Sequence, residues 1–179
     1  MNKRTPQRIR VPLGFAFAAV LLIFAVPTVT SLVAGSIVAA VGLLIRAWAS
    51  GHIRKGATLA VTGPYAHTRN PLYLGSLFLA VGFSIAGGIW WLPILGAVLF
   101  LGIYIPVLSV EADDMRRQFH SEYDEYAANA PILIPRATPW RRDDGNWDSG
   151  LYLQYREYRA ALGAAAIIAI LAAKSIFFL

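Results

Sequence analysis

The sequence predicts an all-α fold, a polytopic membrane helix bundle of about five transmembrane helices with a cytoplasmic N-terminus. Of its 179 residues, 57% are hydrophobic and 15% are charged, and the mean hydropathy is +0.54. A soluble domain carries roughly 25% charged residues, so this composition indicates lipid as the solvent. The chain contains no cysteine, which excludes disulfides and thiolate metal sites. We expect one membrane domain over residues 1–179 and no metal centre.

Long uncharged runs define the predicted spans. Residues 11–45 and 71–110 carry no charge, and each run is long enough for two crossings of a roughly 30 Å hydrocarbon core when a turn divides it. Pro27 suits the first turn, and the Trp90-Trp91 pair suits a membrane interface at the second. A final apolar run is long enough for a fifth span, with Lys174 reaching toward the head groups. The predicted spans lie at about 11–27, 30–48, 71–87, 90–109 and 160–179.

The charged residues predict the orientation. Lysine and arginine fall within residues 1–10, 46–69 and 116–159, apart from Lys174, and every acidic residue lies within 111–157. Five spans with the N-terminus inside place all three charged segments in the cytoplasm, as the excess of positive charge on cytoplasmic loops requires. A net charge of +6 could suggest nucleic acid, but basic residues beside membrane spans are typical of orientation and of contact with anionic lipids. We therefore expect membrane lipids as partners and no nucleic acid.

The loop before the third span predicts an anion-binding helix start. Gly63-Pro64 is a turn signal, Asn70 is a favoured N-cap, and Pro71 is a favoured first helical residue. The positive end of the helix dipole, with Arg69 beside it, suits a carboxylate or a phosphate. The alternative is a capped membrane helix with an arginine at the head groups, and the residues alone leave both open.

An acid follows directly on the fourth apolar run. Glu111 opens a series at helical spacing, so it lies on the apolar face of a helix that we expect to end before Pro131. An acid in that position needs a partner, which could be Arg46, Arg69 or a bound ammonium group. A structural ion pair and a ligand site both remain open. The series comprises Glu111, Met115, Phe119, Tyr123 and Tyr126.

Together these motifs resemble a known family. A Gly63-Pro64-Tyr65 turn precedes Arg69-Asn70-Pro71-x-Tyr73, and the second motif comprises Glu111-Ala112, Met115, Phe119-His120, Tyr123, Tyr126 and Ile134-Pro135-Arg136. Their order and spacing resemble the integral membrane methyltransferases of the isoprenylcysteine carboxyl methyltransferase and phospholipid N-methyltransferase superfamily. The match covers about residues 40–139, leaving 140–158 as an interfacial segment and 159–179 as an extra C-terminal span. Asn70 replaces the motif histidine, Ala112 the second glutamate and His120 the usual glycine.

The resemblance implies S-adenosylmethionine as cofactor and a lipophilic small molecule or lipid as methyl acceptor, at the cytoplasmic face of what we expect is a bacterial inner membrane. The cofactor's carboxylate suits Arg69, and its ammonium group suits Glu111. His52, Arg69 and Glu111 are the candidate catalytic residues, and His52, His67 or Glu111 could act as general base toward a protonated acceptor. The candidate cofactor-binding residues are Gly63, Pro64, Tyr65, His67, Arg69, Asn70, Pro71, Tyr73, Leu74, Gly75, Glu111 and Tyr123.

Two other functions stay open at this point. Membrane sterol reductases have a similar Arg-His-Pro-x-Tyr segment but bind NADPH, so a reductase is the first alternative. A non-enzymatic membrane scaffold or transporter subunit is the second, although a transporter should carry polar residues at mid-bilayer. The acceptor, the choice among N-, O- and S-methylation, and the oligomeric state are not determined by the sequence.

Overall fold

The computed structural model describes residues 5–54, 58–141 and 145–177, with the side chains of the first helix described from Pro12 onward. Every regular element in these ranges is helical, which confirms the all-α prediction. Parts of the predicted interfacial segment (142–144) and of the last predicted span (178–179) lie outside the described residues. The elements are α1 (Thr5–Phe24), α2 (Val29–Ser50), a 3₁₀ turn (Gly63–Ala66), α3 (Pro71–Ala86), α4 (Leu92–Asn129), α5 (Ser149–Gln154) and α6 (Tyr158–Phe177).

Five apolar helices coincide with the five predicted spans. Among the described residues, α2, α4 and α6 are long and apolar enough to cross a membrane. The apolar part of α1, Pro12–Phe24, and all of α3 are shorter. At about 1.5 Å per residue, the 16 residues of α3 reach only about 24 Å. The membrane helix bundle is therefore confirmed, and full crossing by the two shorter helices stays a prediction.

Small residues bring α2 and α3 into close contact. A Cβ atom added at Gly42 would lie 2.6 Å from the carbonyl oxygen of Gly75, and one added at Gly82 would lie 2.6 Å from the backbone nitrogen of Ala39. Gly35 faces Gly82 in the same way, with 2.4 Å between its added Cβ and the carbonyl oxygen. Backbones this close are typical of small-residue packing between membrane helices. Gly35, Gly42 and Gly82 therefore allow the close packing of α2 against α3.

At one end of the bundle, hydrogen bonds to backbone carbonyls connect the end of α1 with the end of α3 and with α6. The backbone N–H of Val26 donates to the carbonyl of Gly87 at 2.8 Å. The ammonium of Lys174 donates to the carbonyls of Leu22 at 2.8 Å and Ile23 at 3.0 Å. These carbonyls belong to the last turn of α1, where acceptors otherwise lack intrahelical donors. Lys174 therefore caps α1, and its predicted position near the head groups stays a prediction.

Helix α4 continues well beyond its predicted span. It runs through Glu111 to Asn129 and ends before Pro131, as predicted. At His120 the backbone leaves helical geometry, with φ 49° and ψ −125°. A positive φ is strained for any residue with a Cβ. Glycine, which the resembling motif has at this position, adopts a positive φ without this strain.

Candidate active site

A cavity of about 610 Å³ lies at the opposite end of the bundle, where α2 ends and where α3 and α6 begin. Its walls come from the end of α2, the first turns of α3, the middle of α4 and the residue before α6. Pockets of roughly 300–1,000 Å³ hold cofactor-sized ligands. Parts of the charged segments 46–69 and 111–157 therefore line one cavity. Seven predicted cofactor-binding residues line it: Tyr65, Arg69, Asn70, Pro71, Tyr73, Glu111 and Tyr123.

The structure places the other predicted residues outside this lining. Nδ1 of His52 donates to the carbonyl of Trp48 at 2.9 Å, and Nδ1 of His67 donates to the carbonyl of Arg136 at 2.9 Å. Gly75 packs in the α2–α3 interface instead. Of the three predicted general bases, Glu111 is the one that lines the cavity. Gly63, Pro64 and Leu74 also stand apart from the lining residues.

Gly63 supports the loop that carries Tyr65. Its φ is +56°, and an added Cβ would lie 2.6 Å from the His52 ring. Both the positive φ and the close ring require glycine at this position. The predicted turn is therefore present, and Gly63 acts on the site through the loop geometry.

Glu111 has a different partner from those that the sequence suggested. The Tyr73 hydroxyl donates to its Oε1 at 2.5 Å. Arg46 pairs with Glu157, and Arg69 donates to the Tyr123 hydroxyl. Glu111 forms no ion pair among the described residues. A carboxylate that lines a cavity without a cationic partner suits a positively charged ligand group.

Two buried hydrogen-bond donors on the cavity wall have no protein partner. Nε of Arg69 and the hydroxyl of Tyr65 are both inaccessible and both unpaired. Burial, followed by the nearby Tyr126 and Glu157, raises the pKa of Tyr65, so its phenol stays protonated and acts as a donor. An unpaired buried donor costs about 1–3 kcal/mol. Neither atom faces open space in the cavity, so both remain unsatisfied within the fold.

The start of α3 has the predicted residues but not the predicted cap. Asn70 occupies the N-cap position and Pro71 follows it as the first helical residue. The Asn70 side chain does not cap the helix, because its amide donates to the carbonyl of Ile132 at 2.9 Å. The predicted capping contact is therefore wrong. The competing acceptor comes from a segment about sixty residues away in the sequence, which local signals do not reveal.

That distant segment holds the loop in front of α3. The Thr68 hydroxyl donates to the carbonyl of Pro131 at 3.3 Å, and the backbone N–H of Arg69 donates to the same carbonyl at 2.9 Å. The Tyr126 hydroxyl donates to the carbonyl of Tyr65 at 2.7 Å. These bonds fix the backbone at the arginine and on its N-terminal side. The cavity wall is therefore held before any ligand binds.

Sequence reasoning missed Glu157 as a cavity residue. Its Oε2 lies 2.7 Å from Nη2 of Arg46 and 3.1 Å from Nε, and its Oε1 lies 2.9 Å from Nη2. Nη1 of Arg46 donates to the Ser76 hydroxyl at 2.7 Å. Glu157 precedes an apolar span, just as Glu111 follows one. The same rule, that an acid at a span border needs a partner, could have identified it.

The sequence profile of a methyltransferase family, described as phospholipid methyltransferase, matches residues 15–122. This range covers more than half of the chain and contains Tyr65, Arg69, Tyr73 and Glu111. The chain belongs to the phospholipid methyltransferase family. The match confirms the resemblance drawn from the motifs, and it makes the chain a member of a family of membrane methyltransferases. Glu157 and the last helix lie outside the matched range.

Two bacterial relatives match about the same share of the chain. The nickel-cobalt-cadmium resistance protein NccN of Alcaligenes xylosoxydans xylosoxydans is 32% identical over 100 residues, which are 55% of this chain and 46% of NccN. The cobalt-zinc-cadmium resistance protein CzcN of Cupriavidus metallidurans is 31% identical over 98 residues, which are 54% of this chain and 45% of CzcN. The aligned part spans about half the length of these relatives. No solved structure matches the chain.

Proposed function

We propose that this phospholipid methyltransferase family member transfers a methyl group from S-adenosylmethionine to a lipophilic acceptor at the cytoplasmic membrane interface. One observation carries the proposal. Arg69 and Glu111, whose carboxylate has no ion pair among the described residues, line the same cavity. A zwitterionic amino acid ligand needs both kinds of group. The family membership supports the methyl donor.

The lining residues fit such a donor group by group. Arg69 would hold its carboxylate, since this arginine lines the cavity. Glu111 would hold its ammonium group. Aromatic faces of Tyr73 and Tyr104, with ring centroids 5.1 Å apart, would tolerate a sulfonium charge. When bound, S-adenosylmethionine supplies a methyl group already activated by that sulfonium.

The chain's own contribution is positioning, water exclusion and proton acceptance. Alignment of two reactants can contribute on the order of 7–11 kcal/mol, and the bonds that fix Arg69 and Tyr73 hold the wall residues in place for it. The enclosing helices keep water from the reacting groups. Glu111 would accept a proton from an amine or hydroxyl acceptor, with the Tyr73 hydroxyl orienting its carboxylate.

The position of the cavity beside apolar helices supports a lipophilic methyl acceptor. The apolar helices α2 and α4 line it, and Glu157, directly before α6, lines it too. All three helices are long enough to cross a bilayer. An acceptor dissolved in the lipid would reach the cavity at the level of the head groups. The positively charged segments around it favour the cytoplasmic side, and the bacterial relatives favour the inner membrane.

The proposed function is tested with the purified chain in detergent or nanodiscs. The protein is incubated with methyl-labelled S-adenosylmethionine and a bacterial lipid extract, and mass spectrometry identifies any lipid that gains a methyl group. We expect label in the lipid fraction with the wild type and at least about tenfold less with Arg69→Ala, since a charged hydrogen bond contributes about 1.5–3 kcal/mol. Binding of NADPH without binding of S-adenosylhomocysteine would indicate a reductase instead. Binding of neither would favour a scaffold.

A further inference from the structure

The cavity contains a balanced set of charges. Its lining includes three arginines and three acids among the described residues, and this balance matters because the proposed methyl donor is itself charged. The six residues are Arg46, Arg54, Arg69, Glu111, Asp114 and Glu157.

Arg46 and Glu157 form the tightest ion pair in this set. Two guanidinium nitrogens of Arg46 contact both carboxylate oxygens of Glu157, at 2.7–3.1 Å. The remaining nitrogen, Nη1, is bonded to the Ser76 hydroxyl and, at 3.4 Å, to the Leu72 carbonyl. The two side chains are 21% and 13% exposed, so solvent screens the pair only partly. Arg46 is therefore neutralised by Glu157 in the cavity wall.

Glu157 lies beyond the residues that match the family. Two hydrogen bonds hold the segment before it against the end of α2. The indole N–H of Trp147 donates to the carbonyl of Ala47 at 2.9 Å, and the backbone N–H of Asp148 donates to the carbonyl of Gly51 at 3.0 Å. Both acceptors lie at the end of α2, in the region of Arg46. The segment before α6 is thus attached to the same helix whose arginine Glu157 contacts.

We propose that Glu157 is a charge-balancing residue of the methyl-donor site: it neutralises Arg46 and so keeps the cavity favourable to a cationic ligand. This inference rests on the proposed function. Glu157 acts through Arg46 and the field of the cavity, so it is a positioning residue, and it needs no contact with the reacting atoms. The C-terminal segment thereby becomes part of the binding site.

The binding of S-adenosylmethionine and of S-adenosylhomocysteine should respond differently to the loss of the Glu157 carboxylate, because the two compounds differ in net charge. S-adenosylmethionine carries a sulfonium, an ammonium and a carboxylate, for a net charge of +1, whereas S-adenosylhomocysteine lacks the sulfonium and is neutral overall. Without the carboxylate of Glu157, Arg46 adds an unpaired positive charge to the cavity. At an effective dielectric constant of about 20, a charge about 10 Å away still changes binding several-fold. The substitution should therefore weaken S-adenosylmethionine more than S-adenosylhomocysteine.

The test measures the dissociation constants of both compounds by calorimetry on the full chain in nanodiscs. For Glu157→Gln we expect the ratio of the S-adenosylmethionine constant to the S-adenosylhomocysteine constant to rise about threefold or more. For Arg46→Gln it should fall, because Glu157 is then unpaired. The double variant and Glu157→Asp should stay near the wild-type ratio. Glu122→Gln, an exposed acid on α4 that does not line the cavity, is the charge-matched control.

The outcomes separate this inference from the proposed function. Equal weakening of both compounds in Glu157→Gln, or an unchanged ratio, overturns the charge-balancing role while leaving methyl-donor binding intact. A wild type that binds neither compound overturns the proposed function itself. If Glu157→Gln does not fold, Arg46→Gln carries the same test with the opposite sign, and a ratio that does not fall overturns the role.

Discussion

The hydroxyl of Tyr73 donates a hydrogen bond to Oε1 of Glu111 at 2.5 Å. This bond joins the first turn of α3 to the part of α4 that follows the apolar run. The two segments are 38 residues apart in the sequence, and each carries one half of the motif pattern. Their contact places the proposed carboxylate-binding and ammonium-binding groups around one cavity.

Tyr73→Phe tests the role of this bond. The ring contact with Tyr104 is retained while the Glu111 carboxylate loses its donor. Loss of one hydrogen bond of about 0.5–1.5 kcal/mol should weaken the binding of S-adenosylhomocysteine about two- to twelvefold, as measured by calorimetry. Tyr158→Phe, at an exposed position outside the cavity lining, is the matched control. An unchanged affinity in Tyr73→Phe would show that Glu111 needs no orienting hydroxyl.

Gly42→Ala tests the close packing of α2 and α3. The added Cβ would lie 2.6 Å from the carbonyl oxygen of Gly75, so the backbones must separate. Overpacking of this kind costs about 1–3 kcal/mol, and the thermal unfolding midpoint in detergent should fall. Gly102→Ala, where the added atom meets nothing within 4 Å, should leave the midpoint unchanged or raise it. Equal midpoints for the two variants would contradict the contact.

His120→Gly should stabilise the chain. A non-glycine residue at φ 49° and ψ −125° carries strain of about 1–3 kcal/mol, and glycine removes it at a cost of about 0.5–1 kcal/mol in unfolded-chain entropy. We expect a higher thermal midpoint for His120→Gly and no increase for His120→Ala, which keeps the Cβ. A lower midpoint for His120→Gly together with a higher midpoint for His120→Ala would indicate that residue 120 is helical.

Tyr126 should make the fold sensitive to alkaline pH. Burial raises its pKa above the ordinary value of about 10, although Arg69 opposes this shift. Stability from the neutral phenol is therefore fully present below pH of about 10 and is lost as the pH rises further, because the unfolded chain ionises first. Tyr126→Phe should lower stability at neutral pH by about 1 kcal/mol through loss of the bond to the Tyr65 carbonyl.

The same variant should lose stability less steeply between pH 10 and pH 11. The measurement is the thermal midpoint as a function of pH in detergent, with Tyr158→Phe as the control for an exposed tyrosine. Parallel pH curves for the wild type and Tyr126→Phe would mean that Tyr126 titrates alike in the folded and unfolded chain.

Local signals in the sequence were sufficient to predict the helices and about half of the residues of the site. Uncharged runs set the apolar helices, and Pro71 and Pro131 marked where one helix begins and another has ended. The motif residues Arg69, Tyr73 and Glu111 meet at the cavity because helix ends bring them there. Each of these signals depends on neighbours within a few residues.

The parts that sequence reasoning missed depend on distant partners. Asparagine is a favoured N-cap residue, but the side-chain amide of Asn70 donates instead to the carbonyl of Ile132, which is distant in the sequence. Glu157 lies 111 residues from Arg46, so no local pattern links them. The backbone at His120 has a positive φ, a conformation that residues with a Cβ atom disfavour, so the residue type did not predict the bend. Long-range hydrogen bonds and tertiary strain decided these three features.

The most direct test of the account is the affinity of S-adenosylhomocysteine for three proteins: the wild type, Arg69→Ala and Glu111→Ala. Arg69→Ala removes the proposed partner of the ligand's carboxylate, and Glu111→Ala removes the proposed partner of its ammonium group. Loss of a charge-assisted bond of about 1.5–3 kcal/mol predicts dissociation constants at least about tenfold higher for both variants. Wild-type affinity in both variants, measured on folded protein by calorimetry, would contradict the account.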